Sequence, residues 1–282
     1  MVKIIGLALI GVSFLSAQSP DISGVWKADL GKSKIAGPPI KDYIAIIEQK
    51  PEVLNRRTGE KALAITETAA VTGEHGQFRS AFTFFESEKP VVRPYNGIPT
   101  RLTATAEGKT ITVNGEVAGR PSSFKRTYEL SSDGQVLTVD VVSTNEGKEH
   151  NSTYVLMKQP DSAGAPLRAP EKTAEQGFKN VKTPLKTLPE SQFIDQMRYM
   201  AWSLGKDCEF CHVRGHFDSD DKKEKKTARK MIEMAAAIDQ NHFEGHPEVR
   251  CFTCHQQHPH PLSYPQFPDQ IKQEQTAAIS AK

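Results

Sequence analysis

Beyond its first fifteen residues this sequence of 282 has no apolar run long enough to cross a bilayer, no cysteine outside two short clusters and little excess of either charge. Each lack excludes a class of protein. A spanning helix needs ~20 predominantly apolar residues, so no transmembrane helix is expected in the mature chain. The formal net charge is only +2, and the charges are spread along most of the sequence, which leaves no electrostatic footprint for nucleic acid. With no cysteine near the amino terminus, a lipid anchor there has no attachment point. At 37% hydrophobic residues the composition is sufficient for packed cores, and the length suits one large or two ordinary domains.

The amino terminus itself is patterned. Lys3 precedes the apolar stretch Ile4 to Leu15, and Ser16-Ala17-Gln18 supplies small residues for cleavage. Residues 1–18 therefore read as a signal peptide, and the protein as exported and periplasmic, free or peripheral to the membrane.

All four cysteines fall in Cys208-Glu209-Phe210-Cys211-His212 and Cys251-Phe252-Thr253-Cys254-His255. This spacing suits covalent attachment of c-type haem. Two thiols three positions apart form thioethers to the two vinyl groups, and the next imidazole is held beneath the iron. Cys208, Cys211, Cys251 and Cys254 are thus the candidate attachment points, and His212 and His255 the proximal ligands, for two covalently bound haems. Tetrahedral zinc and redox disulfides are the rival uses of Cys-x-x-Cys, but neither calls for a histidine after both pairs.

The two halves differ in texture. From Gly24 to about Lys158, runs rich in Val, Ile, Thr, Phe and Tyr alternate with glycine-bearing turns, the pattern of an antiparallel all-β barrel or sandwich. Eight strands are predicted: Tyr43–Gln49, Ala62–Thr68, Phe78–Phe85, Thr100–Ala106, Thr110–Ala118, Phe124–Leu130, Val136–Ser143 and Ser152–Met157. Hairpin turns are expected at Glu107-Gly108, Asn114-Gly115, Asp133-Gly134 and Glu146-Gly147. With the opening Ser23-Gly24-Val25-Trp26-Lys27, this order resembles a lipocalin-like or avidin-like barrel, with Trp26 in the core or plugging one end. Small barrels are as often filled by their own side chains as by a ligand, and the filled reading is favoured here.

Residues 19–158 form this unit, 159–189 a proline-punctuated linker and 190–282 a dihaem domain with helical periodicity. Gln192 to Ser203 places Phe193, Met197, Met200 and Ala201 on one face of a helix. A second helix, from about Asp221 to Gln240, carries Met231, Met234, Ala235 and Ile238 in a stripe. Each helix precedes a Cys-x-x-Cys-His run, and the second run begins 43 residues after the first. The unit of helix, turn and motif is repeated.

The run from Met197 through Leu204-Gly205 to Cys208-Glu-Phe-Cys211-His212, with Ala228-Arg229-Lys230-Met231 and Val249-Arg-Cys251-Phe-Thr-Cys254-His255, resembles the multihaem cytochrome subunit of photosynthetic reaction centres. The resemblance implies a mainly α C-terminal half, electron transfer with a redox protein or a membrane complex as partner, and methionine as the sixth ligand of each iron. Carried over by position, Met197 ligates the first iron and Met231 the second, with Met200 and Met234 as alternatives three residues along. His216, His242, His246, His258 and His260 are competing axial ligands. The family array normally has four motifs; this chain has two, with the β-unit in place of the other half. The chain reads as an electron carrier rather than an enzyme. A dihaem peroxidase, which needs an openable distal site, and a ligand-binding β-domain coupled to a haem sensor are the alternatives. The basic run Lys222–Lys226 with Arg229 and Lys230 is a solvated helix start or, in a minority reading, a docking patch for an acidic partner.

Overall fold

The computed structural model describes residues 19–55, 58–74 and 76–263. The segment read as a signal peptide lies outside these, as does His75.

Ten strands make one sheet: β1 (Gly24–Ala28), β2 (Asp42–Asn55), β3 (Glu60–Gly73), β4 (Gly76–Phe85), β5 (Ser87–Tyr95), β6 (Ile98–Glu107), β7 (Thr110–Val117), β8 (Ser122–Leu130), β9 (Val136–Asn145) and β10 (Lys148–Gln159). The order is β4-β3-β2-β1-β10-β9-β8-β7-β6-β5, and every neighbouring pair is antiparallel. The two outer strands, β4 and β5, are consecutive in the chain. Phe82 of β4 packs edge-on against Tyr95 of β5 at 4.9 Å and Phe124 of β8 at 5.9 Å, so the sheet curls back on itself into a nearly closed barrel. This architecture fits the lipocalin-like expectation.

Two of the ten strands exceed the eight predicted. β1 is the Gly-x-Trp opening, with Trp26 fully buried and its indole Nε1–H donating to the Ile22 carbonyl at 2.9 Å. β5 contains Pro90 and Pro94, which weaken a strand reading; at the edge of a sheet a missing N–H costs no ladder bond. The turns at Gly108, Gly134 and Glu146-Gly147 form as expected, each with positive φ. Asn114-Gly115 does not turn. It lies inside β7, where a Cβ on Gly115 would meet the Phe124 ring at 2.3 Å, so glycine is there for close approach. The Asn-Gly hairpin is instead Asn96-Gly97, with φ of 49° and 76°, between β5 and β6.

The interior is filled by the chain's own side chains, among them Trp26, Ile47, Ile65, Phe84, Ile111 and Tyr128. A buried ion pair sits among them. The Glu67 carboxylate accepts from Tyr43 Oη at 2.5 Å, Tyr128 Oη at 2.8 Å and Arg126 at 3.0 and 3.2 Å.

Residues 159–189 carry two one-turn helices, α1 (Ala165–Arg168) and α2 (Ala174–Gly177), and Leu167 packs on the outer barrel face with Val25, Ile46 and Ala70. Beyond them lie α3 (Glu190–Ser203), α4 (Lys223–His242) and α5 (Cys251–His255). The expected mainly α character is met only in part. Among the described residues α3 and α4 alone exceed five residues, and loops make up much of the remainder.

α3 docks on the barrel. Trp202 Nε1–H donates to the Ala118 carbonyl at 2.6 Å, and the Arg198 guanidinium lies 5.2 Å from the centre of the Phe78 ring. A Cβ on Gly97 would lie 2.2 Å from the Asp195 carbonyl oxygen. Gly97→Ala is therefore expected to cost about 1–3 kcal/mol from the positive φ alone, with the backbone clash added. Gly108→Ala, also at positive φ but with nothing within 4 Å, separates the two effects. Thermal melts of both variants, with amide exchange across α3, check this: only the change at Gly97 should loosen α3.

Candidate functional site

The first motif starts in a single 3₁₀ turn, Cys208–Phe210, capped by Asp207, whose carboxylate accepts from the Phe210 amide at 3.1 Å. The second motif is the short helix α5. Gly205, at φ +62°, ends α3 and lets the chain pass Gln257, whose carbonyl oxygen a Cβ would meet at 2.3 Å. The Gln257 amide donates to the Ser203 carbonyl at 2.7 Å, and Phe252 stacks on Trp202 at 4.7 Å and 19°. The helix before the first motif thus packs against the second motif. Sequence reasoning missed Trp202 in this role, although its position between the α3 methionines and Cys208 was visible.

The two histidines that close the motifs are oriented in the same way. His212 Nδ1 lies 2.8 Å from the Phe217 carbonyl oxygen, and His255 Nδ1 lies 3.0 Å from that of His258. A carbonyl can only accept, so each Nδ1 carries the proton and each Nε2 is left with its lone pair free for a metal. Fixing the tautomer through the other ring nitrogen is the usual outer-shell arrangement for a ligating histidine. At the second motif the turn is made by two non-glycine residues in the left-handed region, Gln256 at φ 46° and Gln257 at φ 68°. Such strain is found where the surroundings over-determine a functional geometry. Burial pushes the His212 imidazole down, favouring the neutral ligating form, and pushes the Cys211 and Cys251 thiols up.

The methionines lie on the free faces of their helices. On α3, Asp195, Arg198 and Trp202 face the barrel, so the helical period puts Met197 and Met200 on the opposite side. On α4, Lys225 and Arg229 face Asp220, so Met231 and Met234 point away from it. Met231 is 39% exposed and Met234 47%. Methionine as core filler would be buried; Met197 and Met200 are half-buried, and the α4 pair stands exposed. The competing histidines His216, His242, His246 and His260 are exposed, and His258 is half-buried with its carbonyl on His255.

The loop after the first motif is clamped by Asp220. Its carboxylate takes Arg229 at 2.8 Å, Asn180 at 2.8 Å, Lys182 at 3.4 Å and Lys225 at 3.5 Å. These partners, Arg229 first, hold the carboxyl well below the usual carboxylate range. Lys225 and Arg229 are therefore engaged in structure, whereas Lys223, Lys226 and Lys230 remain exposed.

Each motif offers two thiols and one imidazole as donors. The described residues contain no group of three or more His, Cys, Asp or Glu side chains placed to hold a metal ion, and the four thiols are unpaired. Around the motifs, Phe217, Phe243, Phe252 and Leu262 join Met231 and Met234 as exposed large apolar side chains. Past Glu190, Trp202 is the one fully buried hydrophobic among the described residues. These side chains leave apolar surface open near both motifs.

A family model described as the photosynthetic reaction centre cytochrome C subunit matches residues 134–281, which take in β9, β10, the connecting segment and both motifs. The chain belongs to this family. Membership carries a cytochrome c type of electron-transfer role and covalently bound haem c. Solved structures similar to this chain include secretory abundant heat soluble protein 4 from Ramazzottius varieornatus, at 11% identity over 49% of this chain and 95% of that one, with a TM-score of 0.29. The siderocalin Ex-FABP is similar at 9% identity over 52% of this chain and 82% of its own, with a TM-score of 0.28. No helix among the described residues is long and apolar enough to cross a membrane.

Proposed function

We propose that this reaction-centre-type cytochrome is an exported dihaem electron carrier. Cys208 and Cys211 hold one haem and Cys251 and Cys254 the other, His212 and His255 are the proximal ligands, and Met197 and Met231 the distal ones, with Met200 and Met234 as the alternative pair. The observation that carries this reading is the matched Nδ1-to-carbonyl bond of both histidines, which leaves two Nε2 lone pairs for two irons.

When bound, each haem supplies a one-electron ferric/ferrous couple. The chain's own part is ligation, burial and spacing. With a histidine and a methionine of this chain on each iron, no ligand position would be left for a substrate, which favours outer-sphere transfer over peroxidase chemistry. A soluble redox protein or a membrane electron-transfer complex is the partner, and residues 1–18 direct export.

The test is a pyridine haemochrome assay with haem staining on protein exported from a host with c-type maturation. Two covalent haems per chain are expected. None, with zinc or disulfides instead, would overturn the reading. Met197→Ala and Met231→Ala should each keep both haems and turn one iron high-spin; variants that stay fully low-spin would move the assignment to Met200 and Met234.

A further inference from the structure

The two proximal histidines share an orientation but not an environment. The carbonyl oxygen of Phe217 accepts twice, from His212 Nδ1–H at 2.8 Å and from the Lys225 ammonium at 2.8 Å. Lys225 is only 8% exposed. Its Nζ also donates to the Ser219 carbonyl at 2.8 Å and pairs with Asp220 at 3.5 Å, so the ammonium is held in place by two backbone oxygens and a carboxylate. The carbonyl of His258, which orients His255, takes no such cation among the described residues.

We propose that Lys225 is a positioning residue that acts through the Phe217 carbonyl on His212 and raises the reduction potential of the first haem, drawing electrons toward that end of the chain. The inference rests on the dihaem reading above.

Two effects have the same sign. An ammonium on a carbonyl oxygen draws off its electron density and makes it a poorer acceptor for the second donor. The Nδ1 proton of His212 is then held more fully by the ring, which lowers the ligand's basicity and its donation to iron, and so favours the reduced form. A buried cation close to the site also disfavours the oxidised, more positive iron. Asp220 and the nearby Asp218 offset part of that charge, but Asp220 is itself shared with Arg229 and Lys182.

The experiment is spectroelectrochemical titration of both haems in the holoprotein, comparing wild type with Lys225→Gln, Lys225→Met and Lys225→Arg, and with covalent haem counted in each. Both neutral variants are expected to weaken reduction of the first haem by about tenfold in its equilibrium constant, about 59 mV for one electron. The second haem, oriented by His258, should hold its potential as an internal control, and Lys225→Arg should stay near wild type. Unmoved potentials, an equal shift of both haems, or an arginine variant that falls as far as glutamine would overturn the proposal. Loss of the first haem from both neutral variants would also overturn it, by making Lys225 a folding residue alone. If wild type itself carries no haem at Cys208 and Cys211, the dihaem reading is what has failed.

Discussion

Arg126→Met is expected to destabilise the barrel by about 3–5 kcal/mol, the cost of leaving one partner of a buried ion pair behind. The Arg126 and Glu67 side chains are 11% and 6% exposed. Methionine fills much of the arginine's volume and keeps a contact with Phe82 and Tyr128, over whose rings the guanidinium lies at 5.4 and 5.2 Å. The loss is then electrostatic rather than a cavity. Glu67→Gln/Arg126→Met should recover much of the loss, because a neutral amide costs far less to bury than an unpaired carboxylate. The pH dependence should reverse as well. Burial alone raises the Glu67 carboxyl, but in the wild type Arg126 and the hydroxyls of Tyr43 and Tyr128 outweigh it and hold the group below its ordinary value. The unfolded chain therefore binds the proton more tightly, and this group's contribution is complete above the ordinary carboxylate range and lost as pH falls through the depressed value. Without Arg126, burial dominates, the folded value rises above the unfolded one, and acid stabilises the variant. Amide exchange of β3 and β8 at several pH values measures both, and a variant whose stability still rises with pH across the carboxylate range would sink the argument.

Of that ion pair, only the strand faces were legible. The strand pattern did not single out either residue, although alternation within it puts Glu67 on the same face as Ile65 and Ala69, and Arg126 on the face of Phe124 and Tyr128. What sequence could not supply was their register across the barrel, since β3 and β8 are far apart in the sheet order. The turns divide in the same way. Gly134 and Gly147 bend the chain because local φ requires it, whereas the Asn-Gly at 114–115 is kept straight by ladders to β6 and β8 and by the ring of Phe124. Tertiary pairing overrode a strong local turn signal. At the two Cys-x-x-Cys-His motifs the candidate residues were readable from spacing alone. Their orienting partners were not, because Phe217 and His258 act through backbone oxygens, which no side-chain pattern reports.

The largest effect is expected from removing the cysteines of both motifs together. In Cys208→Ser/Cys211→Ser/Cys251→Ser/Cys254→Ser, haem staining should vanish, and residues 190–263 should lose protection while the barrel keeps it. Both hydrophobic clusters of the described chain belong to the barrel and the segment capping its outer face. Among the described residues beyond Glu190 only Trp202 is a fully buried hydrophobic, and it is anchored to the barrel through Ala118. α4 has still less to hold it: Lys225, Arg229 and Asp220 fasten one side, and the apolar Met231 and Met234 on the other are exposed. These ion pairs are largely buried at one edge of the helix, but they cover none of its apolar face. On the proposed ligation, burial of the methionine face against a covalently attached haem would be the chief term ordering α4, in the manner of metal-coupled folding. Amides of α4 in the haem-free variant should exchange at least ~100-fold faster than in the holoprotein, which corresponds to about 2.7 kcal/mol. The double variants that remove one motif at a time divide the effect. Loss of the second motif should loosen the Met231 face with the barrel contacts of α3 intact, and loss of the first should free His212 while α5 stays stacked on Trp202. Equal protection of α4 with and without haem would show that this half of the chain folds on its own side chains, and would remove the reason for Met231 and Met234 to stand exposed.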